Sequence, residues 1–293
     1  MVKYLSKSAQ VFLYQMYVHF FSARTLVVFA LLFVYMNRTL RPIAEYCYTM
    51  KHAITPWIFP FLVNDYICQA FLIGGSIMLL SEIPFNEYNG MYMLQRTGTT
   101  AWKTGTIWYV LGSAALYVMM LWSFTIMNLW DVMSFSRSWG KVLTHLANSG
   151  EGANYGITIT FSPILLQFTA GKACVLAIFL EILCIVWIGL LMYFVNDLLG
   201  KKTGMILAFI YMFLDAMISN VMSAGVYRFS PIVLSQLSYY NGDMARNGVT
   251  MKYALCFFFC GYILFGILIM WKEISKRRIK RLQQKMKGKK KNE

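Results

Sequence analysis

The sequence predicts an all-α membrane protein: a polytopic helical bundle of about six transmembrane helices with an amphipathic N-terminal interfacial helix. Hydrophobic residues make up 58% of the 293 residues and charged residues only 13%. The apolar residues are gathered into runs close in length to the ~20 residues that a helix needs to cross a bilayer. The net charge of +15 lies in the segments that flank these runs. This pattern is typical of membrane topology and argues against a nucleic-acid-binding protein.

Residues 1–24 are predicted to form the interfacial helix. Apolar side chains recur at helical spacing on one side and polar side chains occupy the other, as in a helix that lies at a membrane surface. The apolar side comprises Leu5, Ala9, Phe12, Leu13, Met16 and Phe20, and the polar side comprises Lys7, Gln10, Gln15 and His19. A signal peptide is the alternative. Polar residues interrupt its apolar core and no small-residue cleavage site follows, so we expect the segment to be retained.

Six apolar runs within residues 25–271 are the predicted spans. They cover 25–44, 57–80, 104–129, 173–195, 204–224 and 251–271. Trp102 and Trp108 flank the start of the third run in the manner of an interfacial aromatic belt. The connecting segments are a loop at 81–103 and two outer segments at 130–172 and 225–250, and a basic tail at 272–293 follows the last run.

The distribution of lysine and arginine predicts the orientation of the spans. One side of the membrane receives 18 of the 27 basic residues. These are Lys3, Lys7, Arg24, Arg96, Lys103, Lys201, Lys202 and the eleven basic residues of the tail. By the positive-inside rule, both termini and the 81–103 loop are predicted to be cytoplasmic, in a plasma-membrane protein. The tail is interpreted either as a contact to anionic membrane lipids or a partner, or as a topology anchor.

A six-residue motif occurs twice, as FSPILL at 161–166 and as FSPIVL at 229–234. In each copy a serine in N-cap position is followed by a proline at the first helical position. The sequence therefore predicts a short helix at the outer surface before the fourth and the sixth span.

No constellation of catalytic residues is present in the sequence. The histidines, His19, His52 and His145, are scattered, and GKKTG at 200–204 lacks the spacing of a phosphate-binding loop. Metal-ligand spacing is absent, and the six cysteines fall mostly in apolar runs, which does not indicate a disulfide framework. We therefore expect no enzyme activity and no cofactor in this chain.

Two acids, Glu181 and Asp215, fall deep within predicted spans. Each would cost roughly 2.5–3.5 kcal/mol on membrane-insertion scales, so each must face protein or water. One interpretation is a proton or substrate pathway. The other is interhelical hydrogen bonding, with Asn220, Ser219 or Thr125 as expected partners.

The loop at 81–103, SEIPFNEYNGMYMLQRTGTTAWK, combines charges of both signs, a proline and several aromatic residues. Pro84 is expected to end one helix and Asn86 to cap the next, and Glu87 would then suit the positive end of the helix dipole. A helix that presents aromatic and charged side chains has the composition of a protein–protein contact. An ordinary interfacial loop with belt aromatics is the alternative.

The same loop resembles the cytoplasmic loop between the second and third spans of ABC transporter permeases of the type-2 export class. The residues that carry the resemblance are Ser81, Pro84, Phe85, Tyr88 or Tyr92, Arg96 and Gly98. The six-span plan, the amphipathic N-terminal helix and the cytoplasmic termini are also similar to that family, whereas the long 130–172 segment and the basic tail depart from it. The resemblance implies a coupling helix that docks on a separately encoded ATPase. Its implied contact residues are Pro84, Phe85, Glu87, Tyr88, Tyr92 and Arg96.

The resemblance further implies the permease half of an exporter. It would act with a second permease subunit, identical or different, and with ATPase subunits that bind ATP and magnesium. An apolar, aromatic-rich interior suits an amphipathic or hydrophobic cargo such as a peptide, a lipid-like molecule or a drug. Two alternatives remain: an ion- or proton-coupled secondary transporter or channel that uses Glu181 and Asp215, and a membrane scaffold or sensor that transports nothing.

Overall fold

The computed structural model describes residues 2–85, 88–149, 151–157, 159, 162–200, 202–221, 226–240 and 249–289. These residues form eleven α-helices: α1 (Val2–Gln15), α2 (Ala23–Met50), α3 (Phe59–Asn64), α4 (Tyr66–Leu80), α5 (Tyr88–Thr97), α6 (Thr99–Leu129), α7 (Gly140–Ser149), α8 (Ser162–Gln167), α9 (Ala170–Leu199), α10 (Thr203–Val221) and α11 (Met251–Lys289). Over these ranges, the only β-type pairing is an isolated bridge between Ile54 and Met133.

Four of the described helices are long and apolar enough to cross a membrane: α2, α6, α9 and α11 over its part Met251–Trp271. Helix α4 and the part Thr203–Leu214 of α10 are apolar but shorter. At a rise of 1.5 Å per residue, the 15 residues of α4 cover about 22 Å, which is less than the ~30 Å hydrocarbon core. The predicted all-α helical bundle is confirmed, with four helices that can cross a membrane.

The second predicted span, 57–80, is two helices and not one. The chain breaks between α3 and α4 at Asp65, whose backbone is extended. The Asp65 carboxylate accepts a hydrogen bond from the backbone nitrogen of Cys68 at 2.9 Å. An acidic N-cap satisfies a free N–H group at the start of a helix and so stabilises the break at this position.

The first predicted span, 25–44, ends too early. Helix α2 continues through Pro42 to Met50 and ends where Lys51 adopts a left-handed conformation, with φ of 53°. The last helix is also longer than its apolar run, because the α11 backbone stays helical to Lys289. Apolar runs therefore locate the membrane-crossing part of these helices and not their ends.

Helix α9 is the centre of the bundle. Of its most apolar 18-residue stretch, 61% is buried inside the chain, against 28% for α2 and for α11. It packs against α3, α4, α6, α10 and α11. A Cβ atom added at Gly189 would lie 2.7 Å from Val110 of α6 and 2.9 Å from Leu80 of α4, so this glycine lets three helices approach closely. A helix that is apolar on all sides suits this central position.

The six apolar helices α2, α4, α6, α9, α10 and α11 run in alternating directions. Arg24, at the start of α2, donates a hydrogen bond to the carbonyl of Leu79 at the end of α4. Lys103, near the start of α6, donates to the carbonyl of Ile269 in α11 at 2.8 Å. We call this end of the bundle, which carries residues 81–97, the loop end.

Helix α1 crosses α6 near the loop end. Tyr4 and Gln15 lie at opposite ends of α1, yet they hydrogen-bond to Thr104 and Thr106, which are two residues apart. Helix α1 therefore contacts α6 at both of its ends. The crossing is close because Val11 packs directly on Gly105, where a Cβ atom would lie 2.6 Å from the Val11 Cβ.

The two FSP motifs have different structures. The first forms α8, but the second forms a 3₁₀ turn at Val233–Ser235. The residues of this turn are buried and pack against α9, and the Ser230 hydroxyl caps the turn by accepting from the Val233 nitrogen at 3.2 Å. The prediction of a second surface helix at 229–234 is therefore wrong, because this part of the chain enters the bundle.

The α1–α6 crossing gives a testable prediction. Gly105→Ala is expected to lower the free energy of unfolding by about 1–3 kcal/mol, because the added methyl group would overlap Val11 and the Ser8 carbonyl. Gly171→Ala is the matched control, since a Cβ atom at Gly171 meets nothing within 4 Å. Thermal unfolding of both variants in the same detergent would measure the difference. Equal stability of the two variants would contradict the close crossing.

Candidate functional site

The loop at residues 81–97 divides into a buried strap and an exposed helix. Residues Ile83, Pro84 and Phe85 are buried, and they form the strap. The exposed helix is α5, which packs on α1 and α6. Glu87 lies outside the described residues, and so does the side chain of Tyr88. The predicted short helix in this loop is present.

Phe85 is an internal anchor of the strap. Its side chain is 1% exposed. The ring stacks on His19 with centroids 3.8 Å apart and planes inclined by 17°, and it meets the edge of Tyr109 at 5.0 Å. Such aromatic pairs contribute beyond the burial of their area. The expectation that Phe85 is presented on the surface is wrong, because His19, which follows α1, and Tyr109 of α6 cover it.

An ion-pair cluster ties the strap to the start of α2. Glu82 lies 2.7 Å from the Arg24 guanidinium and 3.4 Å from His19. Arg24 also donates to the Ser81 hydroxyl at 3.1 Å and to the Leu79 carbonyl at 3.2 Å. Because Glu82 and Arg24 are partly exposed, the ion pair alone contributes little, and the geometry is set by the several hydrogen bonds together.

Asn196 ties the strap to the turn between α9 and α10. Its side-chain nitrogen donates to the Ile83 carbonyl at 2.7 Å, and its side-chain oxygen accepts from the Gly204 nitrogen at 2.7 Å. Asn196 is 4% exposed. Removing this amide would leave two buried backbone groups without partners, which is costly.

Lys103 closes the same network towards α11. Besides its hydrogen bond to the Ile269 carbonyl, the Lys103 ammonium lies 3.6 Å from the carboxylate of Asp197. The lysine is 9% exposed, so this pairing compensates a charge that would otherwise be buried alone. The loop end therefore joins α2, α4, α6, α9, α10 and α11 through polar contacts.

The outer side of α5 is free of intramolecular packing. Met91 is 56% exposed and Tyr92 is 61% exposed. Gln95 and Arg96 are also exposed. The Arg96 guanidinium lies 5.7 Å from the centroid of the Tyr92 ring, within the range of a cation–π contact. Of the residues predicted to bind a partner, Tyr92 and Arg96 share this outward surface.

The sequence did not single out the residues that hold the strap, namely His19, Arg24, Tyr109 and Asn196. Local signals for two of them exist. His19 is the titratable residue nearest the end of the polar side of the N-terminal segment, and Asn196 precedes an acid at the end of an apolar run. Their partners are more than 60 residues away in the chain, so no local pattern identifies them.

The two predicted intramembrane acids have different outcomes. Glu181 is fully buried in the middle of α9 and accepts a hydrogen bond from Gln69 of α4 at 2.8 Å. Of the expected partners, Thr125 donates instead to the Trp122 carbonyl, and the side chains of Ser219 and Asn220 lie outside the described part of α10. The side chain of Asp215 lies outside the described part of α10.

The described residues contain no group of three or more His, Cys, Asp or Glu side chains that could hold a metal ion. Comparison of the chain with protein-family models, with curated proteins and with solved structures finds no significant match. The function must therefore be argued from the residues themselves.

The strap gives a second prediction. Phe85→Ala is expected to destabilise the protein by about 3 kcal/mol, because it removes a buried ring and leaves a cavity between His19 and Tyr109. Tyr92→Ala, at an exposed position of the same loop, should change stability by less than about 0.5 kcal/mol. Thermal unfolding in detergent distinguishes the two. An equal loss of stability in both variants would show that Phe85 is not an anchor.

Proposed function

We propose that the chain is the membrane-spanning permease subunit of an ABC-type exporter, which moves an amphipathic or hydrophobic cargo out of the cell. The observation that carries the proposal is how the 81–97 loop is attached to the helices around it. It exposes one side of a short helix, α5, while its strap is bound to the ends of the surrounding helices. A partner that displaces α5 would displace those helix ends with it.

The mechanical argument rests on the stiffness of packed interiors, which transmit strain because they contain few voids. Phe85 is enclosed between His19 and Tyr109, and the strap is bound to Asn196. ATP and magnesium would bind to the separate ATPase subunits. Closure of those subunits would then move α5 and its strap, and the movement of α2, α9 and α10 would open a path for the cargo.

The proposal includes six spans and an interfacial α1. The two shorter apolar segments, α3–α4 and α10, are the additional crossings, and the alternating directions of the apolar helices support them. The separation of apolar and polar side chains along α1 supports a helix at the membrane surface. With 18 basic residues on one side, we propose that the loop end and both termini are cytoplasmic, in the plasma membrane.

A second permease subunit is part of the proposal. An apolar groove of ≈ 510 Å³ lies between α2, α4 and α10. Leu31, Phe71, Met78 and Phe213, which line it, are each more than 40% exposed. In a bilayer the hydrophobic effect does not drive helices together, because lipid tails are as apolar as the side chains. Van der Waals packing against this groove is what would favour the binding of another helix. Gly74 and Gly75 also line the groove.

Two other functions are the alternatives, and each predicts a different experimental result. An ion- or proton-coupled transporter or channel would use Glu181 and Asp215 and would work without an ATPase, so an uncoupler would stop transport in vesicles. A scaffold or sensor would bind a partner through α5 and transport nothing. The neighbouring reading frame distinguishes these functions, since an ABC-type ATPase encoded beside this chain would favour the exporter.

The orientation is tested by labelling. Single cysteines replace Gln95 in α5 and Asn148 in α7, both exposed positions, in a chain from which the native cysteines have been removed. In intact cells, an impermeant maleimide is expected to label position 148 and not position 95. The reverse pattern would overturn the proposed topology, and permeabilised cells, in which both sites react, serve as the control.

The ATPase contact is tested by binding. Tyr92→Ala and Arg96→Ala are each expected to weaken co-purification of the ATPase by about 2 kcal/mol, or about thirty-fold in Kd, because aromatic and arginine side chains dominate interfaces. The membrane fold should be unchanged, since both side chains point outward. Phe135→Ala is the control, as Phe135 is 75% exposed in the 130–172 segment.

The exporter proposal fails on either of two results. One is that no ATPase is recovered with the parent protein. The other is that the Tyr92 and Arg96 variants bind and stimulate the ATPase as the parent does.

A further inference from the structure

The most deeply buried acid of the described chain lies in a polar cluster at the centre of the bundle. Glu181 of α9 is 0% exposed, Gln69 of α4 is 1% exposed and Ser235 of the buried 3₁₀ turn is 0% exposed. Three separate parts of the chain thus meet at one carboxyl group. The exporter mechanism proposed above assigns no role to this cluster.

The side-chain donors of the cluster bind to several different acceptors. The amide nitrogen of Gln69 donates one proton to Glu181 Oε2 at 2.8 Å and the other to the Ser235 hydroxyl at 3.0 Å. Ser235 donates its own proton to the Ile232 carbonyl at 2.7 Å. Tyr117 donates to the Leu72 carbonyl at 2.6 Å. Each of these donors thus has an acceptor.

Two oxygen atoms remain without a donor among the described residues: Oε1 of Glu181 and Oε1 of Gln69. Both belong to side chains that face each other across the same hydrogen bond. Over the described ranges no lysine, arginine or histidine forms an ion pair with Glu181. A carboxylate buried without a counter-ion, opposite another acceptor, is strongly unfavourable.

One proton removes both deficits. A protonated carboxyl group and a primary amide form a cyclic pair, in which the amide N–H donates to one acid oxygen and the acid O–H donates to the amide oxygen. The first of these bonds is the Gln69–Glu181 contact. A proton on Glu181 Oε1 supplies the second, and the other amide hydrogen stays on Ser235.

We propose that Glu181 is a proton-binding site, and that its neutral carboxyl group pairs with Gln69 to latch residues 230–240 into the bundle. The latch has a second contact, because Asn64, at the end of α3, accepts from the Ser238 backbone nitrogen at 3.2 Å. Leu234 and Leu237 fill the space between these contacts and are buried. Loss of the proton would place two acceptors opposite each other and would release the segment.

This inference does not depend on the exporter proposal. It concerns a pairing inside one chain, and it holds equally for a transporter of another class or for a scaffold. A failure of ATPase binding would therefore leave it untouched.

The proton is detected by infrared spectroscopy of the full chain in lipid bilayers at neutral pH. The parent is expected to show the carbonyl stretch of a protonated carboxylic acid, with its characteristic shift in heavy water, and Glu181→Gln is expected to lose that band. Glu82→Gln, at an exposed carboxylate, should keep it. A parent spectrum without the band, or a Glu181→Gln spectrum that retains it in full, would overturn the proposal.

The latch is tested by the accessibility of residue 233. A single cysteine replaces Val233, which is 1% exposed, in a chain without native cysteines, and a maleimide is applied. The parent and Glu181→Gln are expected to react slowly, because an amide–amide pair forms the same two hydrogen bonds. Gln69→Leu, which cannot pair, is expected to react at least ten-fold faster.

A control separates release of the segment from general unfolding. A cysteine replacing Val110, a 0% exposed residue of α6 that packs on Gly189 of α9, should stay unreactive in Gln69→Leu. Fast labelling at both positions would mean that the whole bundle has loosened and would overturn the latch. So would equal labelling of position 233 in the parent and Gln69→Leu.

Discussion

The burial of most of α9 among five other helices is the constraint on which the rest of the structure depends. A helix surrounded by other helices has no water for its polar side chains, so each of them needs a partner from a neighbouring element. Asn196 finds its partners in the strap and at the start of α10, and Glu181 finds one in α4. Two polar residues on one apolar helix thereby fix the positions of three other parts of the chain.

The 81–97 loop combines two roles that are separated along its length. Its first part is buried and holds the loop, through Phe85 against His19 and Tyr109 and through the Ile83 carbonyl on Asn196 of α9. Its second part, α5, turns Tyr92 and Arg96 outward. This arrangement suits an element that transmits movement from a partner to the helices. A surface that only binds would not need the buried attachment, and a buried turn would not need an exposed aromatic–arginine pair.

The loop end and the central polar cluster share the same helix. Glu181 and Asn196 are fifteen residues apart on α9, which corresponds to about 22 Å along the helix axis. One carries the contact to α4 beside the buried segment 230–240, and the other carries the strap. A displacement of α9 at the loop end would therefore also reach the contact that retains the segment.

The sequence by itself determined the fold class, the apolar runs and the short helix in the 81–103 loop, because these follow from composition, periodicity and turn residues. Tertiary structure decided the rest. It buried Phe85, which had been expected on the surface of the loop. It divided the second apolar run into two helices at Asp65. It also gave Glu181 a partner 112 residues away. A hydrogen bond between distant segments depends on which helices become neighbours, and no local pattern encodes that.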